Sequence, residues 1–239
     1  MSKIDTIIEN TRNELLSNLG RDIEKRELKW PKYVGFNLLN PNRITDAVKI
    51  LKKLGYAQPL LITGIDRPKE GVIELVYKFN RLDSSVVAWI YTQVPRDNPK
   101  IPSITPLWRA AFPHELETYD LLGVIFNGIP DLRHVFLPWD WNLGFPLRKD
   151  WDPNLAKQYP WWEMTREYYD SFVIPEDESD DIYYVSIGPQ HPAVHGSFRL
   201  ILKLRGDTIL EAWPDFGWVH RGIEKLAESK TFEQIIIYT

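Results

Sequence analysis

The chain has 239 residues, 44% of them hydrophobic and 26% charged, with a formal net charge of −4. That is the composition of a globular protein of one or two domains, with no basic footprint for nucleic acid. The absence of cysteine excludes disulfides, thiolate catalysis and any cysteine-ligated iron–sulfur cluster carried by this chain itself; no apolar run approaches the roughly 20 residues of a membrane span, and no signal peptide is expected.

The chain opens on a helix. Ile4, Ile7, Ile8, Leu15 and Leu19 follow the 3.6-residue period, and Gly20 stands where a C-terminal cap belongs. "YVGFNLL" from Tyr33 reads as a strand. "NPNRITDAVKILKKLG" reads as a helix that Asn40 or Asn42 can cap, with Ile44, Ala47, Val48, Leu51 and Leu54 as its stripe and Gly55 as its stop. "PLLITGI" reads as a short buried strand. "GVIELVYKFN" alternates, with Ile73, Leu75, Tyr77 and Phe79 on one face, and "SSVVAWIYTQV" is its expected neighbour. Strand, helix, then several strands is an α+β plan: a small mixed sheet with helices on one face.

Residues 105–151 are organised differently. A helical part comes first, in which Pro113 either breaks the pattern or marks the first turn of a second helix carrying Glu115, Glu117 and Asp120. Two residues apart on a helix, Glu115 and Glu117 point away from each other, so they make a poor acid/base pair. Beyond Gly123 the chain is loop-like, with Gly128, Pro130, Pro138, Gly144 and Pro146 in quick succession. A segment that long without regular structure is expected to be functional or an interface arm. The tryptophans clustered around residues 139–162 suit an interface as well as a core. Arg148, Lys149 and Asp150 are a candidate ion-pair anchor or else a solvated charge cluster.

Glu176, Asp177, Glu178, Asp180 and Asp181, behind Pro175, form a like-charge run expected to be solvated and flexible. After it, "IYYVSIG", "FRLILKLRG" and "TILEAWP" read as three strands, with Arg205, Gly206 and Asp207 turning between the last two. The expected second unit is a small antiparallel β-sheet plus one helix. That helix covers "FGWVHRGIEKLAESKTFEQ", with Val219, Ile223, Leu226 and Ala227 on its buried side.

Between the first two of these strands lies "IGPQHPAVHG", with His191 and His195 four residues apart. On a helix that spacing would make a zinc pair. Pro189 and Pro192 each lack an N–H donor and disfavour helix in the residue before them, and Gly188 and Gly196 bracket a turn. A helical zinc pair therefore fails, and a structural zinc site fails for want of cysteine and of a third ligand nearby. What remains is a tight loop displaying imidazoles; on residues alone, they can equally be turn histidines bonded to backbone.

Two resemblances bear on this. "HELETYDLLGVIFNGIPDLRHVFLPWDW" with "GFPLRKDW" resembles the signature of the C subunit of respiratory complex I, the proton-pumping NADH:quinone oxidoreductase, at Glu115, Glu117, Tyr119, Asp120, Gly123, Phe126, Pro130, Asp131, Leu132, Arg133, Pro146, Leu147, Arg148, Lys149 and Asp150. The chain departs from it at Ile129 and Phe145, where the family commonly has histidine. "GPQHPAVHGSFRL" and "GWVHRGIEKLAESKTFEQ" resemble the opening segment of the D subunit of complex I, a relative of the large subunit of nickel–iron hydrogenases; Arg221, Gly222, Ile223 and Glu224 fit the R-G-x-E element shared by both.

The resemblance implies a C–D fusion. Residues 1–155 are a domain like the C subunit, with a C-terminal docking arm; 156–181 are an acidic linker, and 182–239 the N-terminal segment of a domain like the D subunit. His195 and His191 are implied as quinone-binding residues, His195 hydrogen-bonding a quinone carbonyl and His191 holding the loop's shape. Glu115, Glu117, Asp120, Asp131, Arg133, Arg148, Lys149, Asp150, Arg221 and Glu224 are implied as interface or structural motif residues. No residue of this chain is catalytic by itself, and the chain is expected to hold no metal or cofactor. Quinone is the substrate of the complex, and iron–sulfur clusters sit on partner subunits. The partners implied are the remainder of the D subunit and the iron–sulfur subunits, at the cytoplasmic face of the cell membrane. Two alternatives stay open: a piece of an energy-converting membrane-bound nickel–iron hydrogenase, and a non-catalytic assembly fragment.

Overall fold

The computed structural model describes residues 3–138, 140–159, 181–192, 196–215 and 217–238. It falls into two units, Met1–Arg133 with Leu147–Trp151, and His134–Pro146 with Asp152–Thr239. Most of the acidic stretch, residues 160–180, lies outside the described residues.

The first unit is built on a five-stranded mixed sheet in the order β1-β2-β5-β4-β3: β1 Ile23–Arg26, β2 Tyr33–Leu38, β3 Gln58–Arg67, β4 Val72–Asn80 and β5 Val87–Pro95. Only the β2–β5 pairing is parallel; the others are antiparallel. α1 (Lys3–Leu19) and α2 (Ile44–Lys53) behave as their periodicity predicts. Ile8, Leu15 and Leu19 of α1 share one core with Ile44, Ala47, Val48 and Leu51 of α2. The inward face of β4 adds Ile73, Leu75, Tyr77 and Phe79, all fully buried. Asn40 does cap, accepting the Asn42 amide at 3.2 Å, but the turn it starts is a short 3-10 helix, Pro41–Arg43, that leads into α2.

One reading changes here, and one strand is added. The stretch expected to be a short buried strand is the edge strand β3, ten residues long, with Leu60 and Ile65 both 39% exposed. An edge strand has a neighbour on one side only, and its outward side chains meet water. β1, too short to carry a period of its own, closes the other edge by pairing Ile23–Arg26 with Gly35–Leu38.

α3 (Phe112–Leu122) starts with Pro113 in its first turn, where the missing N–H costs nothing, and ends at Gly123 with φ +80°. It packs along β3. A Cβ on Gly64 would lie 2.6 Å from Leu122, so the absence of a side chain there is what lets the helix approach. Two further short strands, β6 (Lys100–Pro102) and β7 (Ile125–Asn127), pair in parallel beside it.

The second unit has a three-stranded antiparallel sheet, β10-β9-β8, from β8 (Ile182–Ile187), β9 (Arg199–Arg205) and β10 (Thr208–Asp215). The single helix expected after it is instead two short ones, α4 (Ile223–Ala227) and α5 (Phe232–Ile235). Gly217, Val219 and Gly222 all have positive φ, which interrupts a right-handed helix at each point. Thr231 and Gln234 form a capping box that starts α5 afresh. Val219 and Leu226, expected on a buried face, are 76% and 38% exposed. Among the described residues no helix is long and apolar enough to cross a membrane.

Candidate functional site

The motif residues of the first unit fall into separate contacts rather than one cluster. Glu115 is fully buried, and its carboxylate accepts from Ser103 Oγ at 2.5 Å, the Ile104 amide at 2.7 Å and Thr105 Oγ1 at 2.8 Å. Burial raises its carboxyl above the usual range, and these donors offset only part of that rise. The carboxylate is saturated by the 103–105 turn, which fastens the start of α3 to the end of β6. Asp120 is fully buried and Glu117 half-buried on the same helix. Asp131 and Arg133 pair at the surface, at 3.2 Å.

Arg148, Lys149 and Asp150 are an anchor rather than a loose charge cluster. Arg148 Nε donates to the Leu122 carbonyl at 2.9 Å, the Lys149 amide to Asp66 Oδ2 at 2.7 Å, and Arg96 Nη2 to Asp150 Oδ1 at 2.5 Å. Asp66 and Arg96 are the partners that the motif did not reveal. The available signal was Asp66 at an inward position of β3, where the alternation calls for an apolar residue.

The histidine loop closes the end of the β8–β9 hairpin, whose last pair is Ile187 with Leu200. Gly188 has φ +88°, and a Cβ there would lie 1.9 Å from the Phe198 carbonyl oxygen. Only glycine fits that turn. Gly196 has φ +83°, and among the described residues a Cβ there would meet nothing within 4 Å. His191 and Pro192 are exposed. His195 falls outside the described residues. The loop flanks an open cleft lined by Pro189, Gln190, His191, Pro192, Gly196, Ser197 and Trp218.

Behind the cleft lies a group that sequence reasoning missed. Arg199 and Asp215, directly opposite in the β9–β10 register, pair at 2.7 Å with side chains 9% and 6% exposed. The Trp218 indole N–H donates to the same Asp215 oxygen at 3.0 Å. On the far side of the 217–220 turn, the His220 ring lies 4.8 Å from Phe136. Arg221 and Glu224 are exposed, with Arg221 Nη2 donating to the Tyr238 carbonyl at 3.1 Å. Among the described residues no three His, Cys, Asp or Glu side chains are grouped to hold a metal ion.

Comparison with known proteins bears on the same segments. Residues 38–157 match the family described as respiratory-chain NADH dehydrogenase, 30 kDa subunit. A Phocaeicola vulgatus protein, named as the C/D subunit of NADH-quinone oxidoreductase, is 38% identical over 195 residues, covering 74% of this chain and 36% of its own length. A protein of the same name from Psychrobacter arcticus is 30% identical over 217 residues, covering 82% of this chain and 36% of its own length. The chain thus spans about a third of the length of these curated relatives. One chain in the structure of the membrane-bound sulfane sulfur reductase, an archaeal respiratory membrane complex, superposes with a TM-score of 0.51 at 27% identity, over 73% of this chain and 98% of that one.

Proposed function

Because the chain belongs to the family of the 30 kDa subunit of the respiratory-chain NADH dehydrogenase, we propose that it serves as a peripheral-arm subunit of a membrane-associated complex I-type quinone reductase. On this reading residues 1–155 are the scaffold that docks the iron–sulfur subunits. Residues 156–181 are the linker, and 182–239 contribute the histidine loop to the quinone site. The chain is not catalytic alone and holds no cofactor; the clusters belong to its partners. Those partners hold it at the cytoplasmic face of the cell membrane, where electron transfer is coupled to ion translocation.

The observation that carries the reading is the loop at the end of β8, turned by two glycines and opening on a cleft. Such a loop presents imidazoles to a ligand without needing a metal. A neutral imidazole donates an N–H to a quinone carbonyl, and a protonated one supplies a proton as the quinone gains electrons. His195 takes that role and His191 the loop-shaping one. Asp131, Arg133, Arg221 and Glu224 are polar contacts for neighbouring subunits.

The test is His195→Ala in the complex purified from its native membrane. Losing one donor to the carbonyl removes about 1–3 kcal/mol, roughly 10- to 100-fold in quinone reduction. Electron transfer to an artificial acceptor upstream of the quinone persists. Wild-type quinone reduction at every quinone concentration would make the loop structural. A second reading follows the archaeal superposition: the same scaffold in a membrane complex with a different terminal acceptor. A purified complex that reduces sulfane sulfur and no quinone would select it, and one that evolves hydrogen would select the hydrogenase alternative.

A further inference from the structure

The cleft beside the histidine loop has an aromatic side chain on its wall, and that side chain is held in place. Trp218 lines the cleft together with Pro189, His191, Pro192 and Gly196. Its indole N–H donates to Asp215 Oδ2 at 3.0 Å, and the same oxygen accepts Arg199 Nε–H at 2.7 Å. The Arg199 guanidinium lies 5.5 Å from the indole ring. Arg199 and Asp215 are carried on neighbouring strands in direct register, so the pair that holds the indole is itself fixed at both ends.

The backbone contributes to the same end. Trp218 stands between Gly217 at φ +90° and Val219 at φ +57°. A β-branched residue at positive φ is a genuine outlier, kept only where the surroundings demand it. A Cβ on Gly217 would lie 2.8 Å from the Val135 carbonyl oxygen, so the turn is pressed against that stretch of backbone. A buried ion pair contributes little net stability compared with apolar packing, but it defines a geometry. Here the geometry defined is that of one half-buried indole at the wall of an open cleft.

We propose that Trp218 is a binding residue for the quinone headgroup, its ring face forming the wall of the cleft against which the planar ring lies. This rests on the reading of the loop as a quinone site. The chemistry matches: indole is the most electron-rich of the aromatic side chains, a quinone ring is flat and electron-poor, and offset stacking between them needs only an oriented face. The bond to Asp215 orients the indole, and the ring face itself carries the binding.

The test uses the whole complex with a short-chain quinone analogue, comparing Trp218→Ala, Trp218→Phe, Trp218→Leu and His195→Ala. KM and kcat for the quinone are each read against reduction of an artificial acceptor in the same preparation. Loss of the stacking face is expected to raise KM about tenfold in Trp218→Ala and Trp218→Leu, with a smaller change in kcat. Trp218→Phe keeps a ring face and loses the bond to Asp215, so its KM stays within about threefold of wild type. If Trp218→Phe is as impaired as Trp218→Leu, the side chain acts through Asp215 as structure and the proposal is overturned. If His195→Ala loses quinone reduction while all three Trp218 variants keep the wild-type KM, the proposal falls and the quinone site stands. If none of the four alters quinone reduction, both fall. Should Trp218→Ala fail to assemble, the contrast between leucine and phenylalanine decides alone.

Discussion

Asp66 and Arg96 meet in a two-pronged pair, Nε to Oδ1 at 2.6 Å and Nη2 to Oδ2 at 3.1 Å, and the same carboxylate takes the amide of Lys149 at 2.7 Å. The Asp66 side chain is wholly inaccessible and that of Arg96 is 19% exposed. One inward-pointing carboxylate on the edge strand thus fastens the segment that returns at Leu147 to the sheet. The clasp is local to the first unit, and it is what turns "PLRKD" from a charged stretch into a fixed one.

Asp66→Asn is expected to destabilise the first unit by about 2–4 kcal/mol, since it breaks a buried pair from one side, although Arg96 keeps Asp150 and some water. Hydrogen exchange of the full chain should show the Lys149 amide losing protection first. The pH dependence has a definite sign. Burial works to raise the Asp66 carboxyl, but the bonds from Arg96 and Lys149 and the charges of Arg96 and Arg148 outweigh it and hold it below its ordinary range. Its contribution is therefore present above the unfolded value near 3.9 and lost as pH falls through the folded one. As pH falls below about 4, wild type should lose stability more steeply than Asp66→Asn. Parallel slopes would mean the clasp is not what titrates.

Glu115 carries the opposite sign. Its carboxyl is raised by burial, so the ionised form is the costly one. The cost is absent below the unfolded value near 4.3 and grows as pH rises through the folded value. Removing the side chain is still worse, because Glu115→Ala strands the Ser103 and Thr105 hydroxyls and the Ile104 amide, all buried. At about 1–3 kcal/mol for each unsatisfied group, a loss of at least about 3 kcal/mol is expected. Denaturant melts of the full chain at neutral pH, read from exchange in β6 and α3, check it. A loss below about 1 kcal/mol would mean that water enters and replaces the carboxylate.

Why some of this was legible and some was not follows from how each signal arises. α1, α2 and β4 were readable because one face of each is buried in a single core, and burial writes the period into the sequence. Gly123 and Pro113 marked α3 through backbone chemistry alone. β3 misled because Leu60, Leu61 and Ile65 are apolar yet sit on an edge, where hydrophobicity no longer reports burial. The stretch from Gly217 to Gln234 misled because Ile223, Leu226 and Ala227 keep a helical spacing over a chain that Gly217, Val219 and Gly222 interrupt. The candidate site was half legible. The histidine loop announces itself through its glycines and prolines. Arg199, Asp215 and Trp218 come together only through the register of two strands and a turn, and no local pattern encodes that.

The glycines of the histidine loop supply the last prediction, because they separate two physical effects. Gly188 and Gly196 have nearly the same φ, +88° and +83°, but different surroundings among the described residues. Among the described residues an alanine at Gly196 meets nothing within 4 Å, so against them Gly196→Ala costs only the left-handed strain, about 1–2 kcal/mol. An alanine at Gly188 adds a Cβ 1.9 Å from the Phe198 carbonyl oxygen, a backbone atom that cannot swing aside. The strand end must therefore move. Gly188→Ala should open the Ile187–Leu200 end of the hairpin, visible as lost exchange protection at Leu200, while β4 and β5 in the first unit stay protected. On the proposed function, Gly188→Ala should also lower quinone reduction in the complex well beyond Gly196→Ala, since it displaces the strand end that carries the loop flanking the cleft. If the two alanine variants behave alike, the contact with Phe198 does not set the loop, and its shape comes from the prolines instead.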